Sequence, residues 1–264
     1  MFKIITVSVF IFVIAILMSM IGRGGGNFYV PVLIAAGASI NTAATSAQLL
    51  LMVTAIVATL VFHKYKTVDW KLALVIDIPT DIMAFIGGYF AHYFASYSLK
   101  LLFAGLLVIA FFLMLKPIKE RTGYGKKQFG YWNRSFDKYN YRINLWLAIP
   151  ITAAVGFFAG MIGISGGSFK IPFMVLACGV PMKIAVGTSS AMVAVTALMG
   201  FTGHTLAGDF SFIWAIPMVC IAIVGGVLGG RISVKTQPVR LKKIFAYTTL
   251  AAAGFMAVNA FMTK

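Results

Sequence analysis

Two short stretches of this chain carry residue types able to hold an anion. The first is Gly22-Arg23-Gly24-Gly25-Gly26-Asn27 and the second is Gly163-Ile164-Ser165-Gly166-Gly167-Ser168. Each lies between a long apolar run and a short one, Phe28–Ala36 or Phe169–Cys178, that is cut off near Gly37 or Gly179. These short runs read as half-helices or re-entrant segments. As half-helices they would aim their first N–H groups at the glycines, and such a terminus carries about half a positive charge that favours an anion. The hydroxyls of Ser165 and Ser168 and the amide of Asn27 add donors. Arg23 can grip an oxyanion with two parallel bonds, and Lys170 offers a second cation. A plainer reading stands beside this one: the glycines let helices pack closely, and Arg23 and Lys170 snorkel to an interface.

Thr45-Ser46-Ala47-Gln48 and Thr188-Ser189-Ser190 are expected at the starts of the helices that follow, as N-caps or as further ligand donors. Gln48 can donate to a ligand or bond a neighbouring helix. Asp77 and Asp81 have i, i+4 spacing, which puts both carboxylates on one helix face. They could take up protons when buried, coordinate a cation with Thr80, or pair with Arg23 or another basic residue. His63 and His204 mark the same place in each half of the chain, each at a helix end before an acid (Asp69 or Asp209). They read as hydrogen-bonded termini or as a proton relay. A metal would need more ligands at shorter spacing, so no metal and no cofactor is expected. No GxxxxGK[ST] loop for ATP is present, and no catalytic constellation stands out. The chain does not read as an enzyme.

The elements that must position these residues follow from composition. Of 264 residues, 61% are hydrophobic and 11% charged, and mean hydropathy is +0.95. A soluble domain carries about 25% charged residues. This excludes a soluble enzyme, a disordered chain and a disulfide scaffold, and Cys178 and Cys220 read as free thiols in apolar runs. A spanning helix needs about 20 apolar residues. Eight runs approach that length: Ile4–Ile21, Ala43–Phe62, Leu72–Phe90, Leu99–Leu115, Ile143–Ile162, Ile184–Phe201, Phe210–Gly229 and Ile244–Met262. The start, Met1-Phe2-Lys3 and an apolar run, resembles a signal peptide. Cleavage is not expected, because the run flows into the first glycine motif.

That motif has a counterpart. Residues 21–31 align with residues 162–172 at an offset of 141, and Thr45-Ser46, His63, Asp69 and Gly87-Gly88 match Thr188-Ser189, His204, Asp209 and Gly225-Gly226 in order. The chain reads as a duplication: a first transmembrane repeat over 1–116, a basic linker over 117–142 and a second repeat over 143–264. Orientation follows the basic residues. Three lie in His63–Lys71, eight in Lys116–Arg142 and five in Arg231–Lys243, so sixteen of the 22 fall in three stretches. Placing all three in the cytoplasm needs an odd number of crossings per half. The expected fold is therefore an all-α polytopic membrane protein with two repeats in inverted, five-plus-five arrangement, each with a glycine-broken half-helix. A parallel four-plus-four arrangement is the alternative, and it leaves Arg231–Lys243 outside against the rule.

With Gly22-x-Gly24-Gly25-Gly26-x-x-x-Val30-Pro31, its echo Gly163-x-Ser165-Gly166-Gly167-Ser168-Phe169-x-Ile171-Pro172, and the two Thr-Ser pairs followed by His and Asp, the sequence resembles the TauE/SafE sulfite exporter family over nearly its whole length. Arg23 is a departure from that family's commoner small or apolar residue. The resemblance implies a multi-pass inner-membrane secondary transporter for sulfur-containing anions such as sulfite, sulfonates, sulfoacetate or thiosulfate. The expected mechanism is alternating access around a midplane site at the two glycine breaks, with export as the expected direction and coupled protons or sodium as candidates. An anion channel, or a structural membrane protein in which the glycines only pack helices, is the competing class. The partners expected are the anion and the lipid bilayer, with no nucleic acid. The residues do not fix the oligomeric state.

Overall fold

A computed structural model of the chain describes residues 2–38, 40–90, 96–115, 129–162, 167–206 and 212–262. The apolar runs form helices. In the first half these are α1 (Phe2–Met20), α2 (Gly26–Ala35), α3 (Ile40–Lys64), α4 (Trp70–Phe90) and α5 (Ser96–Leu115). In the second they are α6 (Leu145–Ile162), α7 (Gly167–Pro172), a π-helical continuation of α7 (Phe173–Ala177), α8 (Met182–Leu206), α9 (Phe212–Lys235) and α10 (Pro238–Met262). Three stretches among the described residues are long and apolar enough to cross a membrane: Thr45–Lys64, Met182–Met199 and Met218–Lys235. Both short apolar runs are helical, as expected of half-helices.

One element departs from the all-helical expectation. Part of the basic linker folds as an antiparallel hairpin, β1 (Tyr131–Phe136) and β2 (Tyr139–Asn144), closed at Asp137-Lys138. The fold is mostly helical rather than wholly so. Tyr, Trp, Phe and Ile at hairpin positions favour strands more than a solvated linker needs.

The described residues divide into two compact units that each draw on both halves of the chain. The first contains residues 1–68 and 186–236, the second residues 69–185 and 237–264. The compact units thus divide the chain differently from the two repeats expected from the sequence. In the first unit α9 packs on both α1 and α3. Its glycines make that contact. A Cβ on Gly229 would stand 2.4 Å from the Ile16 carbonyl oxygen of α1, and one on Gly226 would stand 3.0 Å from the Thr54 oxygen of α3. Gly225 and Gly229 line one face of α9, and Gly226 and Gly230 line the adjacent one. Such small-residue stripes let backbones approach where lipid supplies no hydrophobic drive. In the second unit α4 packs on α6 and α5 on α10. Gly156 of α6 sits where a Cβ would meet the Thr80 carbonyl oxygen of α4 at 2.1 Å.

The helices carry large apolar side chains on their outsides, with Leu60 64% and Met199 68% exposed, while Thr45, Ser46, Thr188 and Ser189 are wholly buried. A water-soluble bundle would reverse that pattern. Lipid against the apolar faces accounts for it.

Candidate functional site

The first glycine break lies in the first unit and begins as a helix stop. Gly22 adopts φ +65°, its N–H donates to the Ser19 carbonyl at 3.2 Å, and the Arg23 N–H donates to the Met18 carbonyl at 3.1 Å. These are the two bonds of a Schellman motif, which needs a left-handed residue where Gly22 stands. Gly24 and Gly25 continue with φ +73° and +86°, and the chain then enters α2. Irregular backbone at membrane depth must be satisfied by protein or line a cavity. Hydroxyls from the second half of the chain do part of this. Ser189 Oγ of α8 donates to the Gly22 carbonyl at 2.9 Å, and Ser233 Oγ of α9 donates to the Met20 carbonyl at 2.7 Å.

The Thr-Ser pairs are not N-caps. Helix α3 begins at Ile40 and α8 at Met182, which puts Thr45, Ser46 and Thr188–Ser190 one turn or more inside their helices. The sequence places the motif beside a glycine break without showing that each helix starts earlier. All five side chains are buried. Ser190 bridges α8 and α3, within 3.3 Å of the Ala55 carbonyl and of the Thr59 hydroxyl. Ser46 Oγ is buried with no hydrogen-bond partner among the described residues. Gln48 is half-buried, and Arg23 is buried at 4% exposure. Snorkelling to an interface does not fit Arg23.

The second break lies in the other unit. Ser165 and Gly166 fall outside the described residues, as do Asp209 and the side chains of Gly26-Asn27 and His204. Gly167, Ser168 and Lys170 on α7 are buried. Lys170 Nζ is ion-paired with Asp77 Oδ1 of α4, joining residues 93 apart in sequence. Snorkelling is therefore excluded for Lys170, and Asp77 has a basic partner that is not Arg23. Asp81, one turn on, is half-buried, and His63 is exposed in the last turn of α3.

One cluster had no counterpart among the expected site residues. Asp69 is wholly buried and accepts the Lys71 and Leu72 N–H groups at 3.1 and 3.2 Å, capping α4. It also accepts two bonds from Arg134 of β1, at 2.8 and 3.0 Å, and one from the Tyr141 hydroxyl of β2. Burial pushes the Asp69 carboxyl up, but the bonds from Arg134, Tyr141 and Leu72 outweigh it and hold the group below its ordinary value. The same contact raises Arg134. For Tyr141, burial and then the Asp69 carboxylate push the hydroxyl well above its usual range. The Ser-Phe-Asp and Tyr-Asn-Tyr patterns around the turn are the only sequence hint of this clasp.

A mostly helical chain with several apolar membrane-spanning helices and, at the first glycine motif, a break whose backbone is hydrogen-bonded by other helices defines a class of polytopic membrane protein, and the comparisons with known proteins narrow it. The family described as sulfite exporter TauE/SafE matches residues 7–256. The chain belongs to that family. It is 31% identical over 230 residues to "Probable membrane transporter protein YunE" of Bacillus subtilis, covering 83% of this chain and 84% of that protein. It is 24% identical over 248 residues to "Probable membrane transporter protein MJ0441" of Methanocaldococcus jannaschii, covering 88% and 86%. A third similarity, 32% over 108 residues, is to "Probable membrane transporter protein MamO" of Paramagnetospirillum magneticum and covers 38% of this chain and 17% of that one. No solved structure matches the chain.

Proposed function

We propose that the chain is a secondary transporter, and by preference an exporter, of sulfur-containing anions such as sulfite, sulfonates, sulfoacetate or thiosulfate. It would work in the cell's inner membrane by alternating access, with two inverted repeats of five segments each. The observation that carries this reading is the first glycine break. Three left-handed glycines interrupt apolar helix beside the buried Arg23, in a chain of the sulfite exporter family. Paired glycine-broken segments at matching places in two repeats are the best sequence pointer to a transporter's site. The anion ligands in this reading are Arg23, Gly24, Gly25, Gly26 and Asn27 at the first break and Ser165, Gly166, Gly167, Ser168 and Lys170 at the second. Thr45, Ser46, Gln48, Thr188, Ser189 and Ser190 supply further donors. The orphaned buried hydroxyl of Ser46 supports the donor role, since a buried polar atom without a partner costs about 1–3 kcal/mol unless something satisfies it. Asp77, Asp81, His63 and His204 are the candidates for coupling to protons or sodium.

A second reading has its own support. Gly22 is pressed against α8, and its carbonyl is already satisfied by Ser189, as expected if the break only packs helices, in an anion channel or a structural protein. Counterflow separates the two. Proteoliposomes loaded with unlabelled sulfite should transiently concentrate external labelled sulfite above equilibrium through a carrier, while a channel only equilibrates it. Arg23→Ala and Ser165→Ala should each lower the initial rate about tenfold, the loss of one charge-assisted or buried contact. Rates unchanged in both variants would remove these residues from the site.

A further inference from the structure

The Lys170–Asp77 pair is buried in unit two, on α7 and α4, and the chain holds its own control for what such a place needs. In the alignment of the halves, Tyr29 stands where Lys170 stands. Residues 215–219 of α9 stand where Asp77 and its neighbours stand, and they include no ionisable residue. In the first unit Tyr29 is wholly buried in an apolar cluster with Leu33 of α2 and with Met218 and Ala222 of α9. One unit thus fills this position without a charged pair, by apolar side chains and a tyrosine whose hydroxyl lies 3.3 Å from Thr54 Oγ1, and the other with a lysine and an aspartate. Burying an ion pair costs desolvation that an apolar filling avoids, and exchanging such pairs for hydrophobic side chains is often neutral or stabilising. The charges are therefore not what this architecture requires for packing. Ionisable side chains at membrane depth mark transport pathways and proton relays.

We propose that Lys170 and Asp77 form an electroneutral site at which one anion and one proton load together. Empty, the ammonium and the carboxylate cancel. Counted over this pair within its own unit, an oxyanion that docks on Lys170 Nζ while Asp77 stays ionised would leave a net negative charge in a buried place. If Asp77 takes a proton from the aqueous side as the anion arrives, the loaded state (ammonium, oxyanion and neutral carboxylic acid) is again uncharged. The carboxylate is a resident stand-in for the substrate, and the proton releases it. The groups around Asp77 suit this role. Within the unit, α6 presents no ionisable side chain along Leu145–Ile162, and α7 with its π-helical continuation presents only Lys170. On α4 itself Asp81 follows one turn later. The proposal rests on the transport reading above and gives its coupling ion as the proton; under an inward proton gradient it drives uptake, so it keeps the carrier of that reading and reverses its preference for export.

Methanesulfonate, a monoanion at every pH used, serves as the probe of this loading, and thiosulfate, a dianion, only as a further substrate for the counterflow control. Thermal unfolding of the full-length protein in detergent should show a methanesulfonate-induced rise in Tm that is larger at pH 6 than at pH 8. In Asp77→Asn, which imitates the protonated acid, the rise should be the same at both pH values. In Lys170→Met it should vanish. In proteoliposomes, one unit of inward proton gradient should concentrate methanesulfonate about tenfold through the wild type, one decade per unit for one-to-one coupling, and not through Asp77→Asn. The Lys170→Met/Asp77→Leu double variant replaces both charges with apolar side chains. It should unfold within a few degrees of wild type yet give no counterflow. A pH-independent rise in the wild type, a pH-dependent one in Asp77→Asn, or wild-type counterflow by the double variant each overturns the proposal. Absence of counterflow with sulfite, methanesulfonate and thiosulfate in the wild type instead overturns the transport reading on which it rests.

Discussion

At Gly22 two constraints meet. Its φ of +65° is left-handed, and the Val186 carbonyl oxygen lies 2.3 Å from where a Cβ would stand. Gly37 shares only the first constraint, with φ +104° and nothing within 4 Å of its Cβ position. Left-handed backbone costs a non-glycine residue about 1–2 kcal/mol. The obstacle at Gly22 is backbone rather than a flexible side chain, so α8 must shift to make room. Gly22→Ala should therefore lower Tm well beyond the loss in Gly37→Ala, which isolates the conformational cost. Equal losses in the two variants would show that the break does not pack on α8 as described. The doubled glycines and their polar neighbours are legible in the sequence because they interrupt apolar runs twice in one order. That Ser189 caps the Gly22 carbonyl is not legible, because the partners are 167 residues apart, and with three further glycines close by, the residue types do not single out Gly22 as the one that closes the Schellman motif.

At the scale of elements, Asp69 ties the start of α4 to the hairpin. Its carboxylate is wholly buried, with two backbone donors, Arg134 and Tyr141 around it. Removing one partner of a buried pair typically costs about 3 kcal/mol or more. Arg134→Ala should lower Tm by several degrees at pH 7. The pH dependence has a definite sign. The folded Asp69 carboxyl lies below its ordinary value of 3.8, so its ionised contribution is fully present above about pH 4 and is lost as pH falls through the folded value. Asp69→Asn should therefore unfold below wild type by a constant margin from pH 8 to pH 5, and the margin should shrink only under pH 4. A margin that closed between pH 7 and pH 5 would mean another group holds the hairpin. Periodicity and length reveal the helices and the two short helical segments at Gly26–Ala35 and Gly167–Ala177, since apolar runs and glycine stops are local signals. The hairpin escapes that reading because Tyr131–Asn144 mixes aromatic with basic residues in a stretch whose charge reads as a solvated linker. The early start of α8 escapes it as well, because Pro181 before it is not a capping type, while Ser39 before α3 is one whose signal is overridden by the polar residues that follow at Asn41, Thr42, Thr45 and Ser46.

At the scale of the whole molecule, the order of elements and the distribution of charge bear on the same question. Among the described residues each half of the chain supplies five helical segments, counting α7 with its π-helical continuation as one. Within the units, α1 packs on α9 and α6 packs on α4. The alignment of the halves makes α1 the counterpart of α6 and α4 the counterpart of α9, so one pairing rule serves twice across the two halves. An odd number of segments per half turns the second half over if every segment carries the chain across. The loops with three, eight and five basic residues then share one side, as the positive-inside rule favours. A four-plus-four count would put Arg231–Lys243 opposite the linker. Cysteine labelling decides between them. With Cys178 and Cys220 replaced by alanine, single cysteines at Ser98 in the first turn of α5, Lys138 in the hairpin turn and Gln237 between α9 and α10 report three places to a membrane-impermeant maleimide. The five-plus-five arrangement expects Ser98→Cys to react in intact cells, while Lys138→Cys and Gln237→Cys react only in inside-out vesicles. If Ser98→Cys and Gln237→Cys react from the same side, the chain is not inverted, and the sixteen clustered basic residues need another explanation than orientation.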